Sequence, residues 1–191
     1  MTTNIMIDLE TLGTTADAAI LSIGAVRFDL ETGELDENFY RVVSFESQPN
    51  RVLSRDTLAW WMQQDPKAAA VFTHQPKVSL ADALRDFEGW VTKLRIVHGG
   101  VHAWSNGADF DLPMLTHAFD QCGIRQPWPT FNGRCYRTYK NLPGARDVKA
   151  IRVGEHHNAL DDAIYQAEHV CKIHRALFMT AVAGAPVELP V

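Results

Sequence analysis

Three acidic pairs in this chain share the spacing Asp-x-Glu: Asp8 with Glu10, Asp29 with Glu31, and Asp86 with Glu88. Only the first closes an apolar run, Ile5-Met6-Ile7, as a buried strand does when it delivers side chains at its end. Alternate residues of a strand share a face, so Asp8 and Glu10 can converge on one cation. Two like charges brought together repel and shift toward neutrality, and a hard divalent ion relieves that cost. A solvated strand end is the plainer alternative. Asp29-Leu-Glu31 runs on into Thr32-Gly33 and further acids, as an exposed turn does, and Asp86 and Glu88 flank Phe87 in a helical pattern.

A second cluster lies near the C-terminus. From about Asn158, the residues Ala159, Ala163, Gln166, Val170, Ile173 and Leu177 mark one helix face. At 100° per residue, Asp162 flanks that packed face beside Ala163, whereas Asp161 is expected to point to solvent and favour the helix dipole. His157 precedes the helix, where the backbone is free to turn it toward the same point as Asp162; neighbouring His156 is expected to point elsewhere. The third cluster is Trp104-Ser-Asn-Gly-Ala-Asp-Phe-Asp-Leu-Pro113. A strand ends, a turn follows, and Pro113 fits the first turn of a helix, which leaves both Asp109 and Asp111 as candidates for a site or for simple capping. His98 and His102 have helix-like spacing, but Gly99-Gly100 between them argues against a zinc-binding helix.

The elements that must position these groups follow from the apolar pattern. Strands are expected over Asn4 to Leu9, Ala19 to Phe28, Asn38 to Phe45 and Val101 to Trp104, with a weaker one near Cys135. Helices are expected after Ser54 (ending before Asp65-Pro66), from Ser79 to Leu94, through Leu112 to Cys122, and from Asn158. The first three strands are joined by short connections and read as an antiparallel meander, and the whole as a mixed sheet covered by helices. With 191 residues, 46% hydrophobic, one core and one domain are expected over residues 1–180, followed by an extended or disordered tail over 181–191. No apolar run approaches a membrane span, and the first residues lack the character of a secretory signal, so a cytoplasmic protein is expected. The cysteines Cys122, Cys135 and Cys171 are scattered and read as reduced.

The net charge of −5 runs against a nucleic-acid partner. Two bound divalent cations would bring it to about −1 by charge counting. The basic residues are also unevenly placed: Arg134, Arg137, Lys140, Arg146, Lys149 and Arg152 face a single acid, Asp147, over one short stretch.

Taken together the motifs resemble the DEDDh 3′→5′ exonucleases of the ribonuclease H-like superfamily. Asp8 and Glu10 match the first motif, Asn106 with Phe110-Asp111 the second, and His157-Asn-Ala-Leu-Asp-Asp162 the third. The second match selects Asp111 over Asp109. Leu58-Ala-Trp-Trp61 and Arg134-Cys-Tyr-Arg-Thr138 resemble the phage exonuclease A-like branch, and Ser105 departs from the His that many relatives carry before the Asn. The resemblance implies a mixed five-stranded sheet flanked by helices and a two-ion site for Mg²⁺ or Mn²⁺. Asp8 would be shared by both ions, Glu10 and Asp162 would hold the nucleophile-side ion, Asp111 the other, and His157 would be the general base. The implied partner is the 3′ end of single-stranded DNA or RNA, with 5′-mononucleotides released and a homodimer familiar among relatives. Thr11, Leu12, Asn106, Trp61 and Arg137 are the expected substrate contacts, with Trp60 and Trp104 as further stacking candidates against a reading as core aromatics. Two alternatives stay open: a binding module on the same fold, and a phosphodiesterase acting on small nucleotides.

Overall fold

The computed structural model describes residues 2–179, so the expected tail over 181–191 lies outside the described residues. Strands β1 (Thr3–Thr11), β2 (Ile20–Phe28), β3 (Leu35–Val42), β4 (Val101–Ser105) and β5 (Gly133–Cys135) form one sheet in the order β3-β2-β1-β4-β5. The β1–β2 and β2–β3 pairs are antiparallel; β1–β4 and β4–β5 are parallel. The expected mixed sheet is therefore present, with β3 beginning and ending three residues earlier than its apolar pattern suggested.

Central β1 is buried on both faces, and alternation divides its side chains. Ile5, Ile7 and Leu9 join the core formed with α2 (Leu80–His98) and α3 (Asp111–Gln121), including Leu84, Phe87, Leu115 and Phe119. Met6 faces the other way, onto Val26, Phe28, Tyr136 of the short α4 (Tyr136–Tyr139), and Ala163, Ala167 and Val170 of α5 (Ala159–His174). Asp8 and Glu10 share the face of Met6 and so look toward α5.

The caps follow the local chemistry. Ser54 accepts from the Thr57 amide at the start of α1 (Arg55–Trp61), Ser79 from the Asp82 amide at α2, and Asn158 from the Leu160 and Asp161 amides at α5. Helix α2 runs one turn past the expected Leu94 to His98 and stops at Gly99 in the left-handed conformation. His102 lies on β4, so it and His98 do not share a helix.

Gly24 decides how closely α5 approaches. It pairs with Asp8 across β1–β2, and a Cβ there would sit 2.2 Å from the Ala159 carbonyl carbon and 2.3 Å from the Leu160 nitrogen. The bare backbone lets the first turn of α5 lie directly on the sheet, which carries Asp162 to the strand acids. Gly24→Ala is expected to lower the melting temperature by about 5 °C and to lower turnover with it, because a backbone has to move. A thermal melt and a turnover measurement on one preparation check this; unchanged values in both would remove Gly24 from the positioning of the site.

Candidate active site

The C-terminal end of β1, the start of α3 and the start of α5 meet at a cavity of about 470 Å³. Asp8, Glu10, Asp111, Asp162 and His157 all line it, with Asn106, Arg137, Lys140, Arg152, Tyr165 and Gln166 around them. Asp111 stands in the first turn of α3 and accepts the Leu9 amide at 3.2 Å, which ties that helix to β1. Asp109, the rival candidate, is exposed and lies beside Arg137 at 3.8 Å. Gln166, one turn beyond Asp162, donates to Asp8 Oδ1 at 2.8 Å. The His157 amide donates to Asp162 Oδ2 at 2.8 Å, and the His157 backbone holds a left-handed φ of 64°. Ligand atoms of Glu10, His157 and Asp162 lie within 4.8 Å of one another. The predicted convergence of two strand acids, a helix acid and the adjoining histidine is therefore present.

Electrostatics make this cluster costly as it stands. Burial holds the Asp8 carboxyl well above its usual range, and Asp111, Glu10 and Asp162 add to the shift. Part of the Asp8 side chain faces the cavity, but the surrounding protein leaves it little solvation. Burial, followed by Asp162 and Asp111, pushes Glu10 up to about 8. Asp111 is raised to about 7 by burial, against the opposing hydrogen bond from Leu9. His157 moves down, mainly through burial and neighbouring His156, which favours the neutral, proton-accepting imidazole.

These residues fit divalent cations. The donors are hard carboxylate oxygens clustered tightly enough to repel one another. Two buried amide oxygens on the cavity, Gln166 Oε1 and Asn106 Oδ1, have no hydrogen-bond partner.

Several expected contacts have other surroundings in the fold. The side chain of Leu12 packs with Leu21, Val42 and Trp61, so it belongs to the core. Trp61 is 2% exposed and its indole N–H donates to the Thr11 carbonyl, so it supports the strand end and gives little surface to the neighbouring cavity that it lines with Trp60. Trp104 is likewise buried, donating to Asn4 Oδ1. Trp60 is the accessible indole, with its ring 4.9 Å edge-on from His157. Thr11 lines a neighbouring cavity of about 460 Å³ with Trp60, Thr57 and Phe110, which shares Leu9, Glu10 and Phe110 with the acidic cavity. Arg134 turns away to the Phe131 and Gly133 carbonyls, whereas Arg137, Lys140 and Arg152 line the cavity. Arg137 also holds the Asn106 carbonyl at 2.8 Å. Asp161 does not point to solvent: it accepts the Glu155 amide at 2.8 Å and so braces the loop before His157. Ser105 donates to the Gly107 carbonyl at 3.0 Å and braces the turn that carries Asn106.

Sequence reasoning missed Gln166, Arg152 and Tyr165 as site residues. The first had a visible signal, a polar side chain in the middle of an apolar helix face.

Strand order, parallel and antiparallel pairing, and acids gathered at the end of the central strand define a ribonuclease H-like fold of the DEDDh exonuclease type. The chain belongs to the family described as the 3′-5′ exoribonuclease Rv2179c-like domain, whose model matches residues 3–174. It is similar to an exodeoxyribonuclease of Enterobacteria phage T4, with 28% identity over 120 residues, in agreement with the expected phage branch. The match covers 58% of this chain and 52% of that protein, so it spans about half of the relative's length. Among solved structures, the nuclease domain of 3′hExo, a DEDDh family member bound to rAMP, superposes with a TM-score of 0.61 at 15% identity over 90% of each chain. Exonuclease I of E. coli in complex with a dT13 oligonucleotide gives 0.63 at 12% identity, over 96% of this chain and 43% of that one. At such identities the likeness shows the fold.

Proposed function

We propose that this chain is a metal-dependent 3′→5′ exonuclease that removes 5′-mononucleotides from single-stranded nucleic acid. The observation that carries the reading is the meeting of Asp8, Glu10, Asp111, Asp162 and His157 around one cavity. The family's exoribonuclease description and the phage relative's exodeoxyribonuclease name support the reaction. They differ on the sugar, so the proposed substrate is the class shared by both.

Asp8, Glu10, Asp111 and Asp162 would hold two Mg²⁺ or Mn²⁺ ions, which supply water activation and charge neutralisation at the phosphate. His157 takes a proton from the attacking water, a task for which its lowered pKa keeps it neutral near pH 7. The water oxygen bonds to phosphorus, the bond from phosphorus to the upstream 3′ oxygen breaks, and that oxygen takes a proton from solvent water to become the new 3′ hydroxyl. Asn106, which lines the same cavity, would contact the sugar or phosphate of the terminal nucleotide. Trp60 and Phe110 border the adjoining cavity, which suits the face of a terminal base. Arg137, Lys140 and Arg152 lead the backbone away along one wall.

The acid limb of the rate profile should depend on metal concentration. With saturating Mg²⁺, the midpoint should lie below pH 6.5, where the depressed His157 loses its neutral form. With scarce Mg²⁺, protons held by Asp111 and Glu10, raised to about 7 and about 8, compete for the ligands and move the midpoint upward. Profiles at two Mg²⁺ concentrations check this, and coincident acid limbs would separate the acids from the metal.

Polarity and product size test the reaction itself. Strands labelled at either end should yield mononucleotides from the 3′ end, with a circular single strand left intact. Steady cleavage of the circle would show an endonuclease, and a rate independent of length from dinucleotide upward would favour a small-nucleotide phosphodiesterase.

A further inference from the structure

Among the described residues, Asp162 is the one acid of the centre held in an ion pair: Arg152 Nη1 donates to its Oδ1. Its other oxygen, Oδ2, accepts the His157 amide, a fixed backbone contact. Arg152 therefore sits on the oxygen of Asp162 that the protein backbone leaves open. Its guanidinium lies over the Tyr165 ring, 4.2 Å from the centroid, and that ring also lines the cavity. The ring face is a platform on which a planar cation can slide.

The segment around Arg152 has the freedom such a movement needs. Residues 148–158 contain no regular helix or strand, and Ile151 and Val153 on either side are 77% and 72% exposed. The segment is fastened at its ends: His169 Nε2 contacts the Val148 carbonyl at 2.9 Å, and Glu155 pairs with Lys67 at 2.9 Å while its amide meets Asp161. Between those fastenings Arg152 can leave Asp162 without disturbing the core.

We propose that Arg152 is a placeholder for the divalent cation: it neutralises Asp162 in the metal-free protein, is expelled when the ion binds, and then meets a backbone phosphate of the strand. The inference rests on the metal-centre reading above. Its physical basis is like-charge exclusion at one carboxylate, followed by the preference of a guanidinium for phosphate once the carboxylate is taken. Arg137 and Lys140 line the same cavity and add positive charge where that phosphate would lie.

The proposal demands opposite signs in two binding measurements. Mn²⁺ would be titrated calorimetrically into wild type, Arg152→Gln and Arg152→Lys without nucleic acid. A single strand ending in a phosphorothioate linkage would then be titrated at saturating Mn²⁺. Arg152→Gln should bind Mn²⁺ roughly tenfold more tightly, since a charge-assisted hydrogen bond no longer has to be broken. It should bind the strand roughly tenfold more weakly, and Arg152→Lys should fall between on both axes. Circular dichroism establishes that each variant is folded.

Unchanged or weaker Mn²⁺ binding in folded Arg152→Gln would overturn the placeholder role and leave Arg152 a structural pair. Tighter Mn²⁺ with unchanged strand affinity would overturn the hand-over to phosphate. Absence of Mn²⁺ binding in wild type would instead sink the metal-centre reading, and this inference with it.

Discussion

Asp8→Asn should abolish hydrolysis and, at pH 8 without metal, raise the melting temperature. The two effects have one origin. Asp8 stands where β1 ends, facing α5, with Glu10, Asp111 and Asp162 around it. Burial and these three acids hold its carboxyl well above the ordinary range. A group with a raised folded-state pKa stabilises the fold at low pH and loses that contribution as pH rises toward the folded value. The unfolded chain ionises Asp8 near pH 4, whereas the folded chain resists. Folding is therefore progressively disfavoured from about pH 4 upward. Asparagine removes this penalty, and its amide oxygen can still accept from Gln166. The expected gain at pH 8 is on the order of 3–10 °C, shrinking to nothing near pH 4. Rate in Mg²⁺ should fall by on the order of 10³-fold or more, since Asp8 is the ligand proposed to be shared by both ions. Melts across pH 4 to 8 and a single-strand digestion check both halves.

Asp162→Asn should be equally inactive without the stability gain. Neutralising it relieves repulsion on Asp8 and Glu10 but also breaks its pair with Arg152, and the two effects offset. Wild-type turnover in either variant would remove these acids from the reaction.

His157→Ala should lower turnover by roughly 10²- to 10⁴-fold while leaving Mn²⁺ affinity little changed. The geometry allows a rival: an imidazole nitrogen lies within 4.8 Å of ligand oxygens of Glu10 and Asp162, close enough for His157 to join the metal shell. Its burial-lowered pKa and edge-on contact with Trp60 suit a held, neutral base. The two roles separate cleanly, because loss of a base spares metal binding and loss of a ligand does not. His157→Asn is the companion variant, since asparagine tolerates the left-handed φ of 64° that alanine disfavours. His156→Ala should be much milder, although its ring lies 3.9 Å from that of His157. Weakened Mn²⁺ binding in both His157 variants would make it a ligand, and greater sensitivity at His156 would exchange the two assignments.

Four of the five proposed site residues were legible from local pattern alone. Asp8 and Glu10 end an apolar strand, Asp162 interrupts the margin of a packed helix face, and His157 adjoins it. Spacing along one element is local physics, and for these four residues it carried over. Choosing between Asp109 and Asp111 needed the family motif, since both suit a helix start; the tie from Leu9 to Asp111 supplies the physical reason. Contacts between distant segments were not legible. Trp60 and Trp61 are adjacent, and nothing local says which indole is buried under Thr11 and which opens toward His157. Arg134 and Arg152 both belonged to a basic stretch, but only the fold turns one outward and the other onto Asp162. Helical geometry points Asp161 to solvent and cannot anticipate that the preceding loop folds back onto its carboxylate. Gly24 carried no visible signal, because its role is the absence of a side chain beneath a helix far along the chain.

Crystals grown with Mn²⁺ and a 5′-mononucleotide test the central claim most directly, through anomalous scattering collected at the manganese edge. Two peaks should appear at the end of β1, bounded by the carboxylates of Asp8, Glu10, Asp111 and Asp162, with the nucleotide phosphate against them and the His157 ring free of both. Peaks elsewhere, or a phosphate bound in this cavity with no manganese beside it, would contradict a metal centre built from these four acids.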